Sequence, residues 1–148
     1  MTIFESLRAI EGSDVGVSSW IEIDQERVDA FAEATDDRQW IHVDVDKAAA
    51  GPFGGTIGHG FLTLALTVRM SAEVPLPVGE PKMAINYGLE KVRFPAPVPV
   101  GSRIRGRVSV VSVTEVPGGI QVTRSITVEV EGIEKPAMVA ETVSRYYY

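Results

Sequence analysis

The chain has 148 residues, 45% of them apolar and 23% charged, which is the composition of a folded globular protein and the length of a single domain spanning residues 1–148. Its formal net charge of −6 repels phosphate backbones and anionic lipid, so neither nucleic acid nor a membrane is an expected partner. The absence of cysteine excludes disulfides, thiolate nucleophiles and cysteine metal sites.

The N-terminal residues lack the basic start and unbroken apolar core of a signal peptide, which points to a cytoplasmic protein. The first expected strand covers residues 17–23. Asp24 then sits where an N-cap belongs, and Val28, Phe31, Ala32 and Thr35 share one face of a short helix over residues 25–34. The polar cluster Thr35-Asp36-Asp37-Arg38 opens an irregular stretch that runs through Gly51-Pro52-Phe53-Gly54-Gly55. Residues 57–72 read as a second helix, apolar nearly all the way round and therefore expected to be buried on all sides. Its apolar run is too short to span a bilayer.

Beyond Pro75 the chain is almost entirely strand. Residues 82–87 and 90–94 read as two short strands, the second running into Pro95, Pro97 and Pro99. Residues 103–116 and 120–131 form a long hairpin across Pro117-Gly118-Gly119, and a turn around Glu134-Lys135-Pro136 leads to a last strand over residues 138–147. Periodicity thus predicts an α+β domain: one antiparallel sheet and one buried helix. Flat sheet edges in such a domain favour a homodimer. The basic side chains of Lys91, Arg93, Arg103, Arg105 and Arg107 either keep a strand face soluble or hold the phosphates of an anionic ligand.

Two histidines are present. His42 follows Asp37 by five residues on the irregular stretch, and a carboxylate and an imidazole there can share one water, one accepting its proton while the other orients it. The bland alternative is a capping aspartate and a backbone-satisfied histidine. His59 and Gly60 precede the second helix, where free N–H groups stabilise negative charge and glycine admits a close approach. No compact metal-ligand motif, Walker loop, dinucleotide fingerprint or nucleophile elbow occurs, so no metal is expected.

The runs Phe31-Ala32-Glu33-Ala34-Thr35-Asp36-Asp37-Arg38-Gln39-Trp40-Ile41-His42 and Gly51-Pro52-Phe53-Gly54-Gly55-Thr56-Ile57-Gly58-His59-Gly60-Phe61 resemble the MaoC-like (R)-specific enoyl-CoA hydratases, and look closest to their nodulation protein N-like branch in actinobacteria. The stretch from Ile85 to Gly101 is similar to that branch as well. The resemblance implies a hot-dog fold, an antiparallel sheet wrapped around a long buried helix. It places the family's catalytic aspartate and histidine on Asp37 and His42 and its oxyanion glycine on Gly60. Gln39 and Trp40 stand where the wider family motif has Asn and Pro, and no serine role is carried onto Val68.

The implied reaction is reversible hydration of a trans-2-enoyl thioester to the (R)-3-hydroxyacyl thioester. Water held by Asp37 and His42 attacks the β-carbon while Gly60 N–H binds the thioester oxygen. Gln39, Trp40, His59, Phe61 and Arg93 are the expected substrate contacts, with His59 supporting Gly60 rather than reacting. No cofactor is expected, since coenzyme A or an acyl carrier protein arrives as part of the substrate. A hot-dog thioesterase and a non-catalytic acyl-thioester binding module are the competing readings.

Overall fold

The computed structural model describes residues 1–148, and an antiparallel sheet organises them. Its strands are β1 (Asp14–Val17), β2 (Ile21–Glu22), β3 (Met83–Arg93), β4 (Arg103–Val116), β5 (Gly119–Val130) and β6 (Ile133–Tyr147). The order is β1-β4-β5-β6-β3, with β2 also paired to β4. The helices are α1 (Ile3–Arg8), α2 (Gln25–Thr35), α3 (Trp40–Val43), α4 (Val45–Ala49) and α5 (Gly60–Ala72). None is long and apolar enough to cross a membrane.

The β4–β5 hairpin follows the expected alternation: Ile104, Val108 and Val110 on one strand and Val122, Ile126, Val128 and Val130 on the other are buried. Most of them join Leu62 and Met70 of α5 in the main apolar core. Burying such side chains stabilises by roughly 1.5–3 kcal/mol each before chain entropy is counted. A second cluster at the far end of the sheet forms around Leu7 of α1 and takes in Val110 and Val122. That helix starts with a reciprocal cap, Thr2 accepting from Glu5 N–H while the Glu5 carboxylate accepts from Thr2 N–H.

Several boundaries differ from expectation. The first strand is two, interrupted at residues 18–20, where the Ser18 hydroxyl rather than a ladder carbonyl accepts from Gly106 N–H. Residues 82–87 and 90–94 form a single strand, β3, which absorbs the Gly88 interruption as two register shifts. The turn before β6 lies at Gly132, which takes φ +77°, and Pro136 falls inside the irregular opening of β6, where no ladder N–H is required. The irregular stretch contains α3 and α4, the latter capped by Asp44, which accepts from Lys47 N–H.

The helix α5 is buried on one side rather than all round. Leu62, Thr63, Thr67 and Met70 are buried against the sheet, whereas Phe61 and Val68 are exposed. The sheet covers one side of the helix only. The open side faces a groove bounded by β3, an edge strand nearly all of whose residues are exposed.

Candidate active site

Each group proposed from sequence is positioned by the end of an element. Asp24 caps α2 by accepting from Arg27 N–H, and the helix ends where Asp36 adopts the left-handed conformation, φ +61°. The turn is clamped by Arg38, which donates to both carboxylate oxygens of Glu33 at 2.7 and 3.0 Å and to Asp36 at 3.0 Å. That guanidinium holds the Glu33 carboxyl below its ordinary range. Asp37 follows directly, its side chain about half exposed.

His42 sits in the single turn of α3 and is buried. Its Nδ1 lies 2.7 Å from the carbonyl oxygen of Ile57. A carbonyl only accepts, so Nδ1 donates to it, and the tautomer that does so leaves Nε2 as the ring's acceptor. The backbone here is held by Gln25, whose amide donates to His42 O at 2.7 Å and to Asp29 at 2.9 Å while its oxygen accepts from Thr56 at 2.7 Å. Ile57 N–H donates to Ile41 O, and Gly58 N–H to Val98 O, bringing the approach to α5 alongside both α3 and residues 98–100.

Gly60 begins α5. Neither its N–H nor that of Phe61 has a protein partner, and His59 provides no side-chain cap. These are the donors a helix N-terminus leaves free for an anion. A Cβ on Gly60 would meet the Phe94 ring at 3.2 Å, so the aromatic side chain closes tightly over this turn.

His59, expected among the substrate contacts and as a support for Gly60, is 2% exposed, too deep for a substrate contact. Its ring stacks on His42 with centroids 3.8 Å apart and packs against Phe31 at 4.9 Å. Its Nε2 donates to the Asp37 carbonyl at 3.0 Å and stands 4.0 Å from that residue's carboxylate. One ligating atom each from Asp37, His42 and His59 falls within a 4.8 Å cluster. Such a set could hold a metal in principle, but the two rings are stacked rather than convergent, and the Asp37 carbonyl already takes the His59 Nε2 proton.

A pocket of about 320 Å³ opens beside His42 and Gly60. Thr63, Ile57 and Ala137 line it on one side, and the chain from Phe94 to Val98 lines the other. None of the five expected substrate contacts is part of its wall. Gln39 is exposed at the start of α3. Trp40 packs over Gly51, with the Lys47 ammonium 4.8 Å from its ring. Phe61 and Arg93 stand outside, Phe61 meeting Phe94 edge-on at 6.2 Å and Arg93 donating only to the neighbouring Val92 carbonyl. The Phe94–Val98 wall and the Gln25 anchor were missed from sequence, where the proline run read as a strand ending and Gln25 as a helix start.

The basic strand residues divide. Arg103 pairs with Glu131, Arg105 with Glu129, and Arg107 with Glu129 and Asp14. These three are engaged in holding strands together, while Lys91 and Arg93 have no acidic partner within salt-bridge distance.

A family model described as a MaoC like domain matches residues 7–132. The chain is 57% identical over 150 residues to 3-hydroxyacyl-thioester dehydratase Z of Mycobacterium tuberculosis H37Rv, covering 99% of each. It is 45% identical over 136 residues to nodulation protein N of Rhizobium leguminosarum bv. viciae, covering 90% of this chain and 84% of that one. The unliganded R-hydratase PhaJ1 from Pseudomonas aeruginosa matches with a TM-score of 0.73 at 24% identity, over 91% of this chain and 82% of that one. At that identity the likeness speaks for the fold.

Proposed function

The chain belongs to the MaoC-like dehydratase family with its hot-dog fold, and from that premise we propose that it interconverts trans-2-enoyl thioesters and (R)-3-hydroxyacyl thioesters. The observation that carries the reading is a small pocket lined by His42 and by Gly60, whose N–H has no partner, with the Asp37 carboxylate within 4.8 Å of a His42 ring nitrogen.

The chemistry rests on those groups. In the hydration direction, a water hydrogen-bonded to Asp37 and to Nε2 of His42 attacks the β-carbon as one of them takes its proton. Negative charge moves to the thioester oxygen, which Gly60 N–H receives; one such donor lowers a barrier by about 3 kcal/mol. The enolate is then protonated at the α-carbon, and dehydration is the reverse. The reaction is redox-neutral and calls for no cofactor, because the carrier thiol is part of the substrate. Phe61 and Arg93, outside the pocket beside Phe94, are assigned to the pantetheine arm and its phosphates. The acyl-thioester name of the mycobacterial relative supports the substrate class.

A second copy of the chain is the proposed partner. An edge strand exposing Met83, Ile85, Tyr87 and Leu89 is an unpaired, apolar edge of the kind another strand covers. Edge-to-edge pairing of β3 with its copy leaves the groove between β3 and α5 to the substrate.

The test is crotonyl-CoA. The reading expects loss of the conjugated enoyl absorbance without release of free thiol, and an (R)-configured product. Thiol release at the same rate would mark a thioesterase, and binding without either change a non-catalytic module.

A further inference from the structure

Arg124 is the most unusual charged group in the molecule. It lies on the inner face of β5, is 5% exposed, and has no carboxylate within salt-bridge distance. Its guanidinium donates to the hydroxyls of Ser144, at 3.2 Å, and Tyr146. Its buried Nε–H has no partner at all. On the neighbouring strand Arg103, Arg105 and Arg107 each answer an acid. A guanidinium is a permanent cation, and burying one against two neutral hydroxyls is unfavourable unless an anion completes it.

The place where an anion can arrive is open. Arg124 lines the groove of about 600 Å³ between α5 and β3, whose walls are largely apolar (Leu64, Val68, Leu89, Val143). Thr67 lines this groove, and Thr63, four residues earlier on the same face of α5, lines the pocket beside His42. From Gly60 to Thr67 and Ser71, the helix rise gives about 10 and 16 Å. An extended chain advancing about 1.2 Å per bond covers that span in about 8 to 13 carbons.

We propose that Arg124 is a specificity residue at the distal end of the acyl groove, selecting enoyl thioesters whose acyl chain ends in a carboxylate. The inference rests on the hydratase reading for the position of the thioester end. A carboxylate entering the groove would take the Nη N–H bonds that Ser144 and Tyr146 leave free, a bidentate end-on geometry that arginine favours, while Nε stays enclosed. The apolar walls take the methylenes between. The groove holds one buried cation and no second one, which suits a terminal carboxylate better than the diphosphate of coenzyme A.

The experiment compares wild-type turnover of paired enoyl-CoA substrates of equal length, from about 8 to 14 carbons, ending in carboxylate or methyl. The expected ratio of kcat/KM favours the carboxylate by about 10- to 100-fold at some length in that range, and Arg124→Met brings it to one or below. A wild-type ratio at or below one at every length overturns the inference while leaving the hydratase reading intact. An equal rise in KM for both substrates in Arg124→Met also overturns it, assigning the arginine to the carrier, and loss of self-association with no wild-type preference assigns it to a subunit contact. Should Arg124→Met not fold, Arg124→Lys serves, with an expected fall in the ratio of about tenfold from loss of the fork. If no enoyl thioester is turned over, the hydratase reading fails by itself. The arginine is then judged by thermal shift of the wild-type protein with a free long-chain dicarboxylic acid against its dimethyl ester: stabilisation by the acid alone supports it, and equal or no shifts overturn it.

Discussion

The imidazole rings of His42 and His59 stack 3.8 Å apart, 25° from parallel, one tied to the Ile57 carbonyl and the other to the Asp37 carbonyl. His59 therefore touches both members of the proposed water site, the ring of one and the backbone of the other, while staying out of the pocket. A group so placed positions rather than reacts. Removing it as His59→Ala is expected to lower kcat for crotonyl-CoA hydration by about 10- to 100-fold with KM changed less than about threefold. His59→Gln, which keeps an N–H for the Asp37 carbonyl, recovers part of the loss. Equal defects in the two variants would show that the hydrogen bond contributes nothing.

Gly60 and Phe94 form the second close pair. Because a Cβ on Gly60 falls 3.2 Å from the ring, Gly60→Ala must displace Phe94. Overpacking of this kind costs about 1–3 kcal/mol, and the displaced ring narrows the pocket. The backbone N–H survives the substitution, so Phe94→Leu in the same chain is expected to restore turnover toward the level of Phe94→Leu alone. Additive losses in that double-mutant cycle would place the defect elsewhere.

Glu129 supplies a pH prediction. Hydrogen bonds from Arg105 at 2.8 Å and then from Arg107 at 3.1 Å hold its carboxyl below the ordinary carboxylate value despite partial burial. A folded-state value below the unfolded one gives stability that is complete above the unfolded value and lost as pH falls through the folded one. These side chains are partly solvated, so the pairing contributes below about 1 kcal/mol. Urea unfolding of wild type and Glu129→Gln should differ by a constant amount between pH 7 and pH 5, and converge toward pH 3. A gap that widens on acidification would reverse the assignment.

The edge strand predicts assembly. Leu89→Lys places an ammonium in the middle of exposed β3, a device that natural edge strands use against pairing. Sedimentation of wild type is expected to give a dimer and of Leu89→Lys a monomer. A wild-type monomer at micromolar concentration would remove the proposed subunit contact.

How legible the molecule is in its sequence varies by element. The β4–β5 hairpin reads cleanly because long alternation and a Gly-rich turn agree over most of both strands, and α2 because its cap and apolar face coincide. The apolar pattern starts α5 at Ile57 rather than Gly60, since Ile57 and Gly58 are extended and pair with Pro99 and Val98, contacts no local pattern announces. Its all-round apolarity is real, but it cannot say whether the cover comes from the same chain. Asp37, His42 and Gly60 stand out through the family resemblance, since their spacing alone leaves the capping alternative open. The stacking of His59 and the Gln25 anchor are not, because each reaches His42 from a different element through tertiary packing alone.

The central claim is tested most directly by crotonyl-CoA hydration in Asp37→Asn and His42→Ala, with circular dichroism and melting temperature checked against wild type. Loss of about 10²- to 10⁴-fold in kcat by each folded variant, and a double variant little worse than the singles, is the predicted result. Variants that fold normally and hydrate crotonyl-CoA as fast as the parent would contradict the two-residue water site.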